Sequence, residues 1–119
     1  MTLDKFTTAY IEAALWSSTD ESTPEGGEPM DANYSVSDLA PETLERIKAD
    51  CAAFQGQHRD DIHDDLERAG HDFWLKRNGH SAGFWDGDWP ERVGEKLTEA
   101  SHRCGEVNLY IGDDGRISS

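Results

Sequence analysis

Apolar residues recur along this chain at helical spacing in four places and alternate only near its end. Leu3, Phe6, Tyr10, Ala13 and Ala14 step by three and four, which predicts a helix over residues 3–16 with Thr2 as its cap. Ile11, Leu15 and Trp16 widen the apolar face, so this helix should be well buried. A second stripe, Leu44, Ile47, Cys51 and Phe54, follows Pro41, which fits the first turn of a helix because its missing N–H costs little there. The stripe resumes at Ile62, Leu66, Ala69 and Phe73 and stops near Asn78–Gly79. Two helices follow, at about 39–55 and 59–77, either interrupted at Gly56 or continuous. Val93, Leu97, Ala100 and Cys104 give the buried face of another helix, started at Pro90 and ended at Gly105. Residues 107–111 (VNLYI) read as a strand, the segment GDDG at 112–115 as a hairpin turn, and 116–118 as a short return strand.

Two segments break this pattern. Residues 17–37 (SSTDESTPEGGEPMDANYSVS) are rich in Ser, Thr, Pro, Gly and acids, and read as a long acidic loop. Loops of that length inside a domain are uncommon and usually serve a function. Residues 71–90 hold three of the four Trp with interspersed Gly, His and Asp. Rings separated by glycines imply a tight joint between helices, so Phe73, Trp74 and Trp85 should be largely buried. The fold class is α+β: a mainly helical single domain over residues 1–119 with a small C-terminal β-hairpin. A chain of this length can bury one core and not two.

Composition adds charge. Lys and Arg number 11 against 25 Asp and Glu, a net charge of −14. Between residues 17 and 45 there are eight acids and no Lys or Arg. Such a chain repels nucleic-acid phosphates and anionic membranes, and favours a basic protein surface, a cation or a metal. No apolar run is long enough to span a membrane, and the N-terminus lacks the pattern of a signal peptide, so a cytoplasmic location is expected. Cys51 and Cys104 then read as reduced, buried thiols, although a disulfide remains open.

Three stretches, FTTAYIEAALW at 6–16, GHDFWLKRNGHSAGFWD at 70–86, and 97–115 through GEVNLYIGDDG, resemble a group of small acidic proteins widely encoded by phages and prophages. They cover more than a third of the chain in the same order. The chain departs at Ser81, where the group usually has Gly, and at Cys104, where it has an aromatic. The resemblance assigns no catalytic residue. It implies a phage accessory protein in the host cytoplasm, of the sort that disables a host nuclease or other DNA-binding defence.

Acids four apart on a helix lie about 6 Å apart along its axis, comparable with phosphate spacing. Asp60 with Asp64 and Asp61 with Asp65 provide such pairs, and Asp64 with Glu67, three apart, falls on the same face. Like-charge pairs cost about 0.2–0.5 kcal/mol each, so a function that offsets the cost is plausible. Glu91, Glu95 and Glu99 form a further row, relieved by Lys96 and Arg103. The leading expectation is a DNA-mimicking surface of Asp20, Glu21, Glu25, Glu28, Asp31, Asp38, Asp60, Asp61, Asp64, Asp65 and Glu67. It would block the basic surface of a host DNA- or RNA-binding protein or complex, without direct nucleic-acid or membrane contact.

Other chemistries are weaker. His63, Glu67 and His71 fall on one stripe of the predicted helix, with His80, Asp86 and Asp88 in the aromatic loop, and could ligate zinc or a harder divalent ion. No specific metal motif is present, and no cofactor is called for. A metal-dependent or small-molecule enzyme using His71, His80 and Asp86 is the alternative function. Pairing Cys51 or Cys104 with His80 or His102 as nucleophile and base lacks a supporting motif. No catalytic residue is assigned. Self-association as a homodimer, with Trp74, Trp85 and Trp89 as anchors, is a further reading.

Overall fold

The computed structural model describes residues 4–20, 28–30, 34–62, 65–78, 89, 91–112 and 115–119. Helix α1 (Lys5–Ser17) leads into an antiparallel strand pair, β1 (Thr19–Asp20) and β2 (Glu28–Pro29). A short 3₁₀ turn (Val36–Asp38) precedes α2 (Pro41–Ile62) and α3 (Leu66–Arg77). Helix α4 (Glu91–Cys104) is followed by an antiparallel hairpin, β3 (Tyr110–Ile111) and β4 (Ile117–Ser118). The mainly helical α+β class with its C-terminal hairpin is therefore as expected. Among the described residues no helix is long and apolar enough to cross a membrane.

The core forms where α1, α2 and α3 meet. Phe54 stacks on Phe73 with ring centroids 4.1 Å apart, and Phe6 and Tyr10 of α1 lie 6.0 and 5.4 Å from the same ring. Trp74 meets Tyr10 edge-on at 5.4 Å. Every residue of α3 from Asp72 to Arg77 is buried, which makes α3 the central helix. Phe73 and Trp74 thus lie inside as expected, whereas Trp85 falls outside the described residues.

Several local boundaries differ from the sequence reading. Helix α1 is capped by Asp4, whose carboxylate accepts the Thr7 N–H at 2.8 Å; Thr2 lies outside the described residues. Gln55 donates to the same carboxylate at 3.1 Å, tying the cap to α2. Those hydrogen bonds outweigh partial burial and hold the Asp4 carboxyl below its usual range. Among the described residues of the stretch 17–37, Met30 is fully buried and its N–H bonds to Ser18 O at 2.9 Å, anchoring the β1–β2 pair against α1. Gly56 does not interrupt α2. The irregularity comes at His58, with φ −125° and ψ 21°, and the helix ends at Ile62.

Trp16 and Cys104, expected to be buried, are both exposed. Trp16 falls four residues after Glu12 on the outward stripe of α1, behind Ile11 and Leu15. Cys104 closes α4 one residue before Gly105, whose φ of +80° turns the chain. The hairpin turns at Gly115, with φ +76°, and docks through the fully buried Ile117, whose carbonyl accepts the Ala40 N–H at 2.9 Å.

Candidate functional site

The acids expected to form one helical row are split between two helices. Asp60 and Asp61 lie in the last turns of α2, Asp65 is the N-cap of α3, and Glu67 is in the first turn of α3. With Asp65 at φ −151°, ψ 74°, the four-residue spacing does not run along a single helix there. Asp64 lies outside the described residues. Asp65 accepts the Arg68 N–H at 3.1 Å, and Asp61 takes the Lys96 ammonium of α4 at 2.8 Å. Asp38 closes a capping box by accepting the Ser35 N–H at 2.8 Å. Asp20 and Glu28 are direct cross-strand partners in the β1–β2 register; Glu21, Glu25 and Asp31 lie outside the described residues. By contrast, positions 91, 95 and 99 do share one helix, α4, where Glu95 and Glu99 are exposed.

The proposed His–Glu–His stripe also changes. Helix α3 starts at Leu66, so His63 precedes it and lies outside the described residues, as do His80, Asp86 and Asp88. Glu67 and His71 are exposed, and His71 Nδ1 lies 3.3 Å from Asp72 Oδ1. Among the described residues no group of three or more His, Cys, Asp or Glu side chains is placed to hold a metal ion. The fully buried Cys51 thiol is pushed up to about 12 by burial, and Cys104 is raised as well. Both shifts oppose thiolate formation, so neither cysteine is poised as a nucleophile.

Two buried polar centres went unnoticed in the sequence. Arg77, 4% exposed, donates from Nε to Gly105 O (2.8 Å), from Nη1 to Tyr10 Oη and Asp50 Oδ2 (both 3.0 Å), and from Nη2 to Cys104 O (3.0 Å). It lies 5.2 Å over the Phe73 ring. One guanidinium therefore joins α1, α2, α3 and the C-terminal end of α4. An open cleft of about 250 Å³ lies beside it, lined in part by Tyr10, Arg46, Asp50 and Glu106. Asp72 is buried too, accepting Trp89 Nε1–H at 2.8 Å; burial pushes its carboxyl up despite that bond and His71.

His58 is the second centre. It is 6% exposed, its ring lies 4.7 Å from Phe54, and among the described residues neither ring nitrogen has a hydrogen-bond partner. Burial, then Lys96 and Arg103, push its pKa below the ordinary 6.5, against the pull of Asp61. The unfolded chain therefore takes up a proton that the folded one resists. Stability present above pH 6.5 should be lost as pH falls from there towards the lower folded pKa. His58→Leu removes an unsatisfied buried polar group, so it should flatten this slope and add about 1 kcal/mol at neutral pH. Urea denaturation over a pH series checks this, and an unchanged slope in the variant would refute it.

Among proteins of known family, curated relatives and solved structures, none matches this chain.

Proposed function

We propose that this chain is a non-enzymatic phage or prophage accessory protein that docks, through carboxylates, on the basic nucleic-acid-facing surface of a host protein. The observation that carries this reading is the net charge of −14 and how its parts are distributed. Two of the eleven cations, Lys76 and Arg77, are buried, whereas Asp72 is the one buried carboxylate among the described residues. Among the residues whose exposure is described, burial thus removes two cations and one carboxylate from the surface. Exposed carboxylates at Asp60, Asp65, Glu67, Glu95 and Glu99 lie on the outer faces of three helices or at their ends. A field of that sign attracts protein surfaces that bind phosphates, and repels nucleic acids themselves. The phage setting rests on the resemblance of residues 6–16, 70–86 and 97–115.

The test is capture of host proteins on the immobilised chain, with duplex DNA as competitor. Captured proteins should be released both by raised salt and by duplex DNA, since both act on the same charges. Charge reversal at Asp60, Asp65 and Glu67 together should weaken capture at least about tenfold at low salt. Capture that survives high salt, or that ignores both the competitor and the charge reversal, would rule the reading out.

A further inference from the structure

We infer that Trp16 is the aromatic anchor of the acidic surface and receives an arginine side chain from a basic protein partner; this rests on the proposed function. Its indole is 59% exposed, while Trp74 is buried and Trp89 is half-buried with its N–H committed to Asp72. Exposure here does not come from a loose segment. Ser17 Oγ accepts the Trp74 Nε1–H at 2.6 Å and donates to Ala13 O at 2.8 Å, and the Ser18 N–H bonds to Ala14 O at 3.1 Å. The backbone that carries Trp16 is therefore fixed, and presenting the ring to a partner costs little further ordering.

The surroundings select a cation. Glu12, exposed, stands one turn before Trp16 on the same face of α1. The His71 ring of α3 lies 6.3 Å from the indole, and exposed Glu67 stands one turn before His71. Three residues beyond Trp16 the chain enters β1, which pairs Asp20 with Glu28. Trp16 thus has an exposed carboxylate one turn away on its own helix and, beyond His71, another on α3. Trp is the best aromatic partner for a cation, and a planar guanidinium can stack on the indole while its N–H groups reach carboxylates. A second copy of the chain is disfavoured as occupant, because each copy carries a net charge of −14.

The test uses labelled oligoarginine and oligolysine peptides of equal length, with binding read by fluorescence anisotropy at low and raised salt. The wild-type chain should bind oligoarginine about two- to fivefold tighter than oligolysine. Trp16→Ala, and Trp16→Leu, which keeps apolar bulk without the π face, should bring the two affinities together. Both should leave oligolysine binding, its salt dependence and the thermal melting of the chain unchanged. An arginine preference that persists in both variants overturns the role of Trp16 and leaves the proposed function standing. If instead neither peptide shows salt-dependent binding to the wild type, the proposed function falls and this inference with it. Light scattering that shows a wild-type dimer lost on Trp16→Ala would assign the surface to a second copy and overturn the arginine assignment.

Discussion

Arg77→Ala should remove about 3–5 kcal/mol of folding stability, a large share of what a domain of this size possesses. The guanidinium is 4% exposed and satisfies four acceptors on three other segments: Tyr10 Oη, Asp50 Oδ2, Cys104 O and Gly105 O. Truncation leaves the Tyr10 hydroxyl, which is fully buried, and the terminal carbonyls of α4 without that donor, and opens a cavity against Phe73. Arg77→Lys keeps the charge and loses the fork, so it should recover only a minor part. The Asp50 side chain is 44% exposed, and water can replace its partner. Asp50→Asn should therefore cost no more than about 1 kcal/mol. Urea denaturation followed by tryptophan fluorescence separates the cases. If Asp50→Asn costs as much as Arg77→Ala, the ion pair dominates and the buried hydrogen bonds of the fork are secondary. If Arg77→Ala costs under about 1 kcal/mol, the guanidinium does not join the helices at all.

Both buried polar centres leave a trace in the sequence that hydrophobic periodicity passes over. Ala69 and Phe73 step by four to Arg77, and Phe54 steps by four through His58 to Ile62. A charged or polar residue on an apolar stripe is the signal, because the helix face points it inwards whatever its chemistry. Reading the stripe as apolar positions alone skips these residues and places the helix interruption at Gly56, two residues before the kink at His58. The same geometry puts Trp16 outside: it continues the stripe of Lys5, Ala9 and Glu12, of which Lys5 and Glu12 are exposed and Ala9 half-buried. Hydrophobicity suggested burial there, and helical phase decides against it.

The acidic rows show a different limit. Four-residue spacing puts carboxylates on one face only within an unbroken helix, and here α2 ends at Ile62 while α3 starts at Leu66. Asp61 is held towards α4 by Lys96, while Asp65 turns back to cap α3. The Asp61–Lys96 pair, 35 residues apart, is not written in local sequence, whereas the Asp65 cap is a local N-cap signal that the row reading passes over. Lys96 had seemed to relieve the row at 91, 95 and 99; in the fold its ammonium reaches Asp61. The helix types, the order of elements and the C-terminal hairpin were legible because they follow from periodicity and turn chemistry. How the charges pair across elements was not, because it requires the tertiary arrangement.

Gly70→Ala and Gly56→Ala, the same substitution in neighbouring helices, should have opposite signs. Helix propensity favours Ala over Gly by about 1 kcal/mol in a helix interior. At Gly56 a Cβ meets nothing within 4 Å, so the propensity gain should appear almost whole, as a stabilisation of about 1 kcal/mol. At Gly70 a Cβ would overlap the carbonyl oxygen of Phe6 and lie 2.9 Å from its carbonyl carbon and 3.1 Å from its Cα. Those are backbone atoms of α1, and no rotamer change relieves them. Helices α1 and α3 would have to separate, and the contacts of Phe6 with Phe54 and Phe73 would loosen with them. Overpacking typically costs about 1–3 kcal/mol and more when backbone must move, so the net loss at Gly70 should exceed about 2 kcal/mol despite the propensity gain. Thermal melts of the two variants beside the wild type give the signs directly. A stabilised Gly70→Ala would mean that α1 and α3 do not cross in contact at Phe6 and Gly70, and the central position of α3 would have to be abandoned.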